Sequence, residues 1–199
     1  TDSKQGGSGA VFLGSDSQTV IRSTDLTDPD KTTVFESNIS AMQGGAISTR
    51  MAQNNSRAKL DITGVTFKSN EAGTKGGAIY ADIEYGSYSD STKTNNTSFV
   101  NNSATAENSM GGAIYATRGG FYITDVSFIG NSASKGAAIY SENKTARIYA
   151  KTQDIEFTNN NSTGLANGTG TGIENVGATF SFNADENRSI VINDAWDDK

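Results

Sequence analysis

Two short words alternate along this chain, and their spacing constrains the fold more than any other feature. The first is Gly44-Gly45-Ala46-Ile47, repeated as Gly76-Gly77-Ala78-Ile79 and Gly111-Gly112-Ala113-Ile114, then softened to Gly136-Ala137-Ala138-Ile139. The second is Phe-x-x-Asn: Phe35 with Asn38, Phe67 with Asn70, Phe99 with Asn102, Phe128 with Asn131, and Phe157 with Asn160. Successive Phe residues lie 32, 32, 29 and 29 positions apart. A period of this size marks an array of similar units that stack. It favours an extended binding surface over a single catalytic pocket.

Composition alone points elsewhere. Only 34% of residues are hydrophobic, and Ser, Thr, Asn and Gly make up 87 of the 199. Such polarity normally describes a chain that stays unfolded, but a disordered tract has no reason to return Phe and Ile in register. The net charge of −6 is scattered, with no basic stripe, so nucleic acid is not an expected partner. The chain has no His and no Cys, which removes the commonest general base, disulfides, thiol nucleophiles and Cys-type zinc sites. No calcium-loop word is present either, so neither metal nor cofactor is expected. The lack of Cys suits export. No window is apolar enough to span a membrane as a helix. The start at Thr1-Asp2-Ser3 has neither initiator Met nor signal peptide, so the chain reads as a piece of something longer.

Short runs such as Leu60-Asp61-Ile62, Val65-Thr66-Phe67, Phe121-Tyr122-Ile123 and Ile155-Glu156-Phe157 alternate at period two, the mark of strands. Thr33, Val65, Thr97, Val126 and Ile155 each stand two before the repeat Phe and so share its inward face. The single Pro29 agrees with strands that need their backbone donors. Each repeat holds three strand-sized runs: one at Gly-Gly-Ala-Ile, one near Leu60, Phe121 or Ile148, and one ending at Phe. The expected fold is all-β: a parallel β-helix, or β-solenoid, of roughly six coils with three short strands each, about 30 Å long at strand spacing. Residues 1–199 form one such segment. The strong repeats span 35–160, a weaker first coil 1–43, and a degenerate final coil with partial cap 161–199. Stacking sets Phe over Phe and buries a core that no single coil has. Asn at Phe+3 is expected to take the left-handed backbone conformation and to bond its counterparts along the stack. The Gly pair permits a sharp turn or close backbone approach. Both words are structural first.

Candidates for contact come from positions that vary. After the repeat Ile stand Ser48, Tyr80, Tyr115, Tyr140 and Glu174, an outward position that would present an exposed Tyr column. Tyr85 and Tyr88 lie in a second candidate, a polar protrusion. Surplus length near Met51–Arg57 and Tyr85–Asn96, and after Phe at Ser103–Met110 and Asn161–Thr171, marks loops, where binding is often placed. For catalysis the best pair is Asp125 and Asp154, each three before Phe, which neighbouring coils would bring to about 5 Å as in a retaining glycosidase. No basic word accompanies them. Asp82 and Glu142 are separated by Thr117 in the intervening coil, and Arg50 stands where it would pair with Asp82 across coils. The Gly168–Gly172 run lacks the Lys and helix of a phosphate loop and reads as a repeat turn. Sequons at Asn38, Asn54, Asn143 and Asn167 are expected by chance in so Asn-rich a chain.

The alternation of the two words resembles the chlamydial polymorphic membrane proteins, a family of autotransporter adhesins, and in particular their passenger domain. The likeness is close over Gly44 to Asn160 and loose over Gly9 to Asn38 and Gly170 to Asp194. The chain departs from it in lacking Cys and in the decay of Gly-Gly-Ala-Ile to Gly170-Thr171-Gly172-Ile173. The resemblance implies a right-handed β-helix, displayed on the bacterial cell surface or secreted. It further implies attachment to a host cell-surface protein or glycan receptor, a link between the repeat words and adhesion, and a tendency to self-associate. The expected function is non-enzymatic adhesion by a segment that does not itself insert into membrane. A self-assembling scaffold is the alternative, and a polysaccharide-active enzyme a remote one.

Overall fold

Strand pairing follows the repeat. The computed structural model describes residues 9–14, 17–25, 32–49, 58–85, 97–117, 120–142, 145–163, 171–177 and 179–198. Every pairing among them is parallel and joins a strand to its counterpart one coil away, in four sheets. The first sheet stacks Val11–Leu13, Ile47–Thr49, Ile79–Ala81, Ile114–Thr117, Ile139–Glu142, Thr171–Asn175 and Ala195–Asp198. The second stacks Gln18–Arg22, Ala58–Thr63, Ile83–Tyr85, Gly120–Thr124, Thr145–Ala150 and Thr179–Ala184. The third stacks Thr33–Glu36, Val65–Lys68, Thr97–Val100, Val126–Ile129, Ile155–Thr158 and Ile190–Ile192. The fourth stacks Ile39–Ser40, Glu71–Ala72, Ser103–Ala104, Ser132–Ala133 and Asn161–Ser162. The chain is thus an all-β solenoid: five circuits touch all four sheets, and a sixth passes from the third sheet straight to the first.

The first five coils carry four strands each rather than the three expected. The extra one is the two-residue strand after Phe-x-x-Asn, too short to display any alternation in sequence. Coil length is also more variable than register. From Ile79 to Phe99 is 20 positions and from Ile114 to Phe128 only 14, yet Phe99 pairs directly with Phe128. Connections absorb the difference. Those near 51–57 and 86–96, like Pro29, lie outside the described residues.

The core is built of columns. Phe67, Phe99, Phe128 and Phe157 are wholly buried. With Phe35 they stack face to face, ring centroids 4.8–5.1 Å apart and planes within 9° of parallel. That spacing is the strand separation itself, so the backbone imposes the aromatic contact. Ile47, Ile79, Ile114, Ile139 and Ile173 form a second column, and Val65, Val126 and Ile155 share the Phe face as expected. Each buried Phe or Ile contributes about 2 kcal/mol.

The Asn residues form a continuous amide ladder. Nδ2 of Asn38, Asn70, Asn102 and Asn131 donates to Oδ1 of the next Asn at 2.8–3.0 Å. The backbone N–H of each Asn donates to the same oxygen. The second hydrogen on Nδ2 goes back to the Phe carbonyl of the previous coil, as Asn102 does to Phe67 at 3.0 Å. The ladder ends on Asp194, whose carboxylate accepts from both nitrogens of Asn160. These Asn residues do not take the left-handed conformation. That falls one position earlier, at Ser37, Ser69, Asn101, Gly130 and Asn159 (φ 52 to 66°). The turn must complete before the amide so that Nδ2 lies along the stack.

The two glycines divide two tasks. Gly76 sits at φ +63°, while a Cβ on Gly77 would fall 2.0 Å from the Gly112 carbonyl oxygen of the next coil. One supplies the turn and the other the close approach.

Substitution at Asn102 tests the ladder. Asn102→Ala strands two buried donors on Asn70 and is expected to cost about 3 kcal/mol in urea unfolding. Asn102→Asp keeps the acceptors but aims a carboxylate at Asn131 Oδ1 and the Phe67 carbonyl. Its folded form holds the proton more tightly than the unfolded chain, so its deficit should shrink as pH falls below the carboxylate range and grow as pH rises.

Candidate functional site

The position after the repeat Ile forms the predicted column, though not an exposed one. Phe12, Ser48, Tyr80, Tyr115, Tyr140 and Glu174 are successive partners in the first sheet. The three Tyr rings stack at 5.3 and 5.6 Å and point away from the main core. Yet Tyr80, Tyr115 and Tyr140 are only 4%, 2% and 6% exposed and make a core of their own. They are outward and covered, so the expected open tyrosine face is not present.

Cover comes from the position before the Gly pair, at Lys75 and Met110. Gln43, Lys75, Met110 and Lys135 align as isolated bridges from coil to coil. Met110 packs against the tyrosines. Lys75 Nζ lies 4.3 Å above the Tyr115 ring and donates to its hydroxyl at 3.1 Å. That hydroxyl in turn donates to Glu142 Oε2 at 2.7 Å. Burial, then the bond to Glu142, pushes the Tyr115 phenol well above its ordinary value. Tyr115 therefore keeps its proton and remains a donor. Ser48 is also buried, with no hydrogen-bond partner for its hydroxyl.

Tyr85 belongs to a strand instead of a protruding loop. Its backbone pairs with Leu60 and Phe121 in the second sheet. Tyr88 lies outside the described residues.

The tyrosines that do reach solvent were missed. Tyr122 and Tyr149, on the outer face of the second sheet, are partly exposed. Arg147 stacks 5.7 Å over Tyr122, and the Tyr149 hydroxyl donates to Asp185, which raises its pKa. Alternation carried the signal, since Tyr122 stands beside inward Ile123, and Tyr149 between inward Ile148 and Ala150.

The carboxylates considered for catalysis hold backbone instead. Asp125 sits at a left-handed corner (φ 54°) and is 3% exposed. Its carboxylate accepts from the N–H groups of Lys151, Thr152 and Gln153 at 2.6–3.2 Å and from the Thr152 hydroxyl at 2.6 Å. Asp154 accepts from the Ser189 N–H at 2.8 Å. Each fastens the corner of the following coil. Asp82 is wholly buried, and its N–H donates to Thr49 Oγ1; Glu142 serves Tyr115, while Arg50 lies outside the described residues. Among the described residues no group of three or more acidic side chains is placed to hold a metal ion. Among the described residues no helix is long and apolar enough to cross a membrane.

A family model for the Chlamydia polymorphic membrane protein repeat matches residues 32–50, 64–82, 96–117 and 125–142. Each match runs through a third-sheet strand, a ladder Asn, a Gly pair (Gly136-Ala137 in the fourth) and the following first-sheet strand. No curated protein and no solved structure matches the chain.

Two substitutions probe these assignments. Tyr115→Phe keeps the ring stack but removes the hydroxyl between Lys75 and Glu142, and should lower stability by about 2 kcal/mol in denaturant melts. Asp125→Ala releases four donors at the 151–153 corner. It should cost about 2–3 kcal/mol and speed hydrogen exchange there before it does so elsewhere.

Proposed function

Since this chain belongs to the Chlamydia polymorphic membrane protein family, we propose that it is a stretch of surface-displayed passenger domain that attaches the bacterium to a host cell-surface receptor, protein or glycan. The observation that carries this reading is the family repeat itself, returned four times in one continuous stack. Nearly all inward side chains, the amide ladder and the covered tyrosines are engaged in holding coils together. Such a rod is a rigid spacer with a patterned exterior, the geometry of repeat proteins that bind along extended surfaces.

Contact in this reading falls to what the columns leave outside. Tyr122, Arg147 and Tyr149 bring to one sheet face the residue types that dominate binding hot spots. Tyr80, Tyr115 and Tyr140 serve the fold. The segment acts without catalysis, because Asp125 and Asp154 are committed to backbone donors. It is displayed outside the cell, where a chain free of Cys avoids stray thiol chemistry.

The test is attachment of beads coated with the monomeric chain to cultured host cells. Saturable binding, competed by soluble chain, is expected, and a non-saturable signal would refute adhesion. Replacing Tyr122, Arg147 and Tyr149 together by Ser should weaken attachment about tenfold, while Tyr115→Phe should leave it intact wherever the variant is folded. Incubation with pectin or glycosaminoglycans should release no reducing ends; turnover would overturn the non-enzymatic reading.

A further inference from the structure

A repetitive stack has a problem of order. Phe, Ile, Asn and Gly recur at the same places in successive coils, so these columns re-form equally well if one coil is looped out and its neighbours close over the gap. Nothing in the Phe column or the amide ladder tells the Gly76 coil from the Gly111 coil. Register in β structure is weakly specified wherever alternative pairings satisfy the same pattern.

Two positions around the tyrosine column do not recur in the same combination from coil to coil. Gln43, Lys75, Met110 and Lys135 occupy one position, and the residue three after the repeat Ile is Asp82, Thr117, Glu142 or Val176. Lys75, Tyr115 and Glu142 come from three consecutive coils, linked at 3.1 and 2.7 Å. Looping out the Gly111 coil sets Lys75 over Tyr140, with Val176 in the acceptor place. Looping out the Gly76 coil sets Gln43 over Tyr115 and removes the ammonium. We propose that Lys75, Tyr115 and Glu142 form a register clasp, a charged contact made only when the three coils stack in native order.

A cross-linking experiment reads coil order directly, because the chain contains no Cys of its own. Ser98 and Ser127 are direct partners in the native third sheet. A Ser98→Cys, Ser127→Cys pair therefore reports correct order. Glu156 lies one strand beyond, since Phe128 pairs with Phe157, so a Ser98→Cys, Glu156→Cys pair bridges only when the Gly111 coil is skipped. Each pair is placed in the otherwise unaltered chain and in a Lys75→Met, Glu142→Thr chain, which borrows the residues of Met110 and Thr117. After refolding from denaturant and oxidation, the skipped-coil cross-link should be a trace in the first background and rise about tenfold in the second. An unchanged skipped-coil yield overturns the proposal. A general loss of both cross-links also overturns it, because the contact would then only add stability. Lys75→Arg, Glu142→Asp should restore native order; failure to do so would count against the clasp.

Discussion

In-register parallel stacking is the constraint on which the rest of this structure depends. Adjacent strands are held at one spacing by their backbone hydrogen bonds, so whatever one coil places at a position meets its counterpart in the next. Aromatic rings 4.8–5.1 Å apart and amides 2.8–3.0 Å apart are two consequences of that single geometry. The ladder is the more demanding of the two. A Phe tolerates another apolar neighbour, but an Asn whose oxygen receives two donors and whose nitrogen gives two hydrogens admits few replacements. This is why Asn closes every second word from Asn38 to Asn160, and why only a residue with acceptor oxygens, Asp194, stands at the last rung.

The same geometry explains how a chain so poor in apolar residues folds. Ser, Thr, Asn and Gly do not dilute the core; they form its corners and its polar seam. Gly77 is required because a neighbouring carbonyl occupies the place of its Cβ. Asp125 makes a buried carboxylate the fastening for the next coil. Buried polar groups are costly unless bonded, and here the repeat lets one solution serve many times.

For function, the consequence is a division between columns and exterior. A tyrosine stack that looks adhesive in sequence is a second core beneath its own lid, and the paired acids that look hydrolytic are turn fasteners. What the columns leave outside, among the described residues, is the outer face of the second sheet, where Tyr122, Arg147 and Tyr149 stand. Coil length changes without disturbing register, as the direct pairing of Phe99 with Phe128 shows.

Much of this was legible in the chain. The period, the inward Phe and Ile, the partners two before each Phe, the amide ladder and the need for Gly all follow from residues that recur, because each recurrence states one local requirement. The fourth strand did not follow, since two residues such as Ile39-Ser40 display no alternation. Nor did the left-handed residue, which the backbone places at Ser69 or Asn101 so that the following amide points along the axis. The burial of Tyr115 was beyond a one-coil reading, because its cover, Lys75, and its acceptor, Glu142, belong to the coils on either side. Sequence determined what repeats, for repetition is a property of one chain read end to end. Tertiary structure decided what is covered, for burial depends on side chains brought from coils roughly thirty residues away.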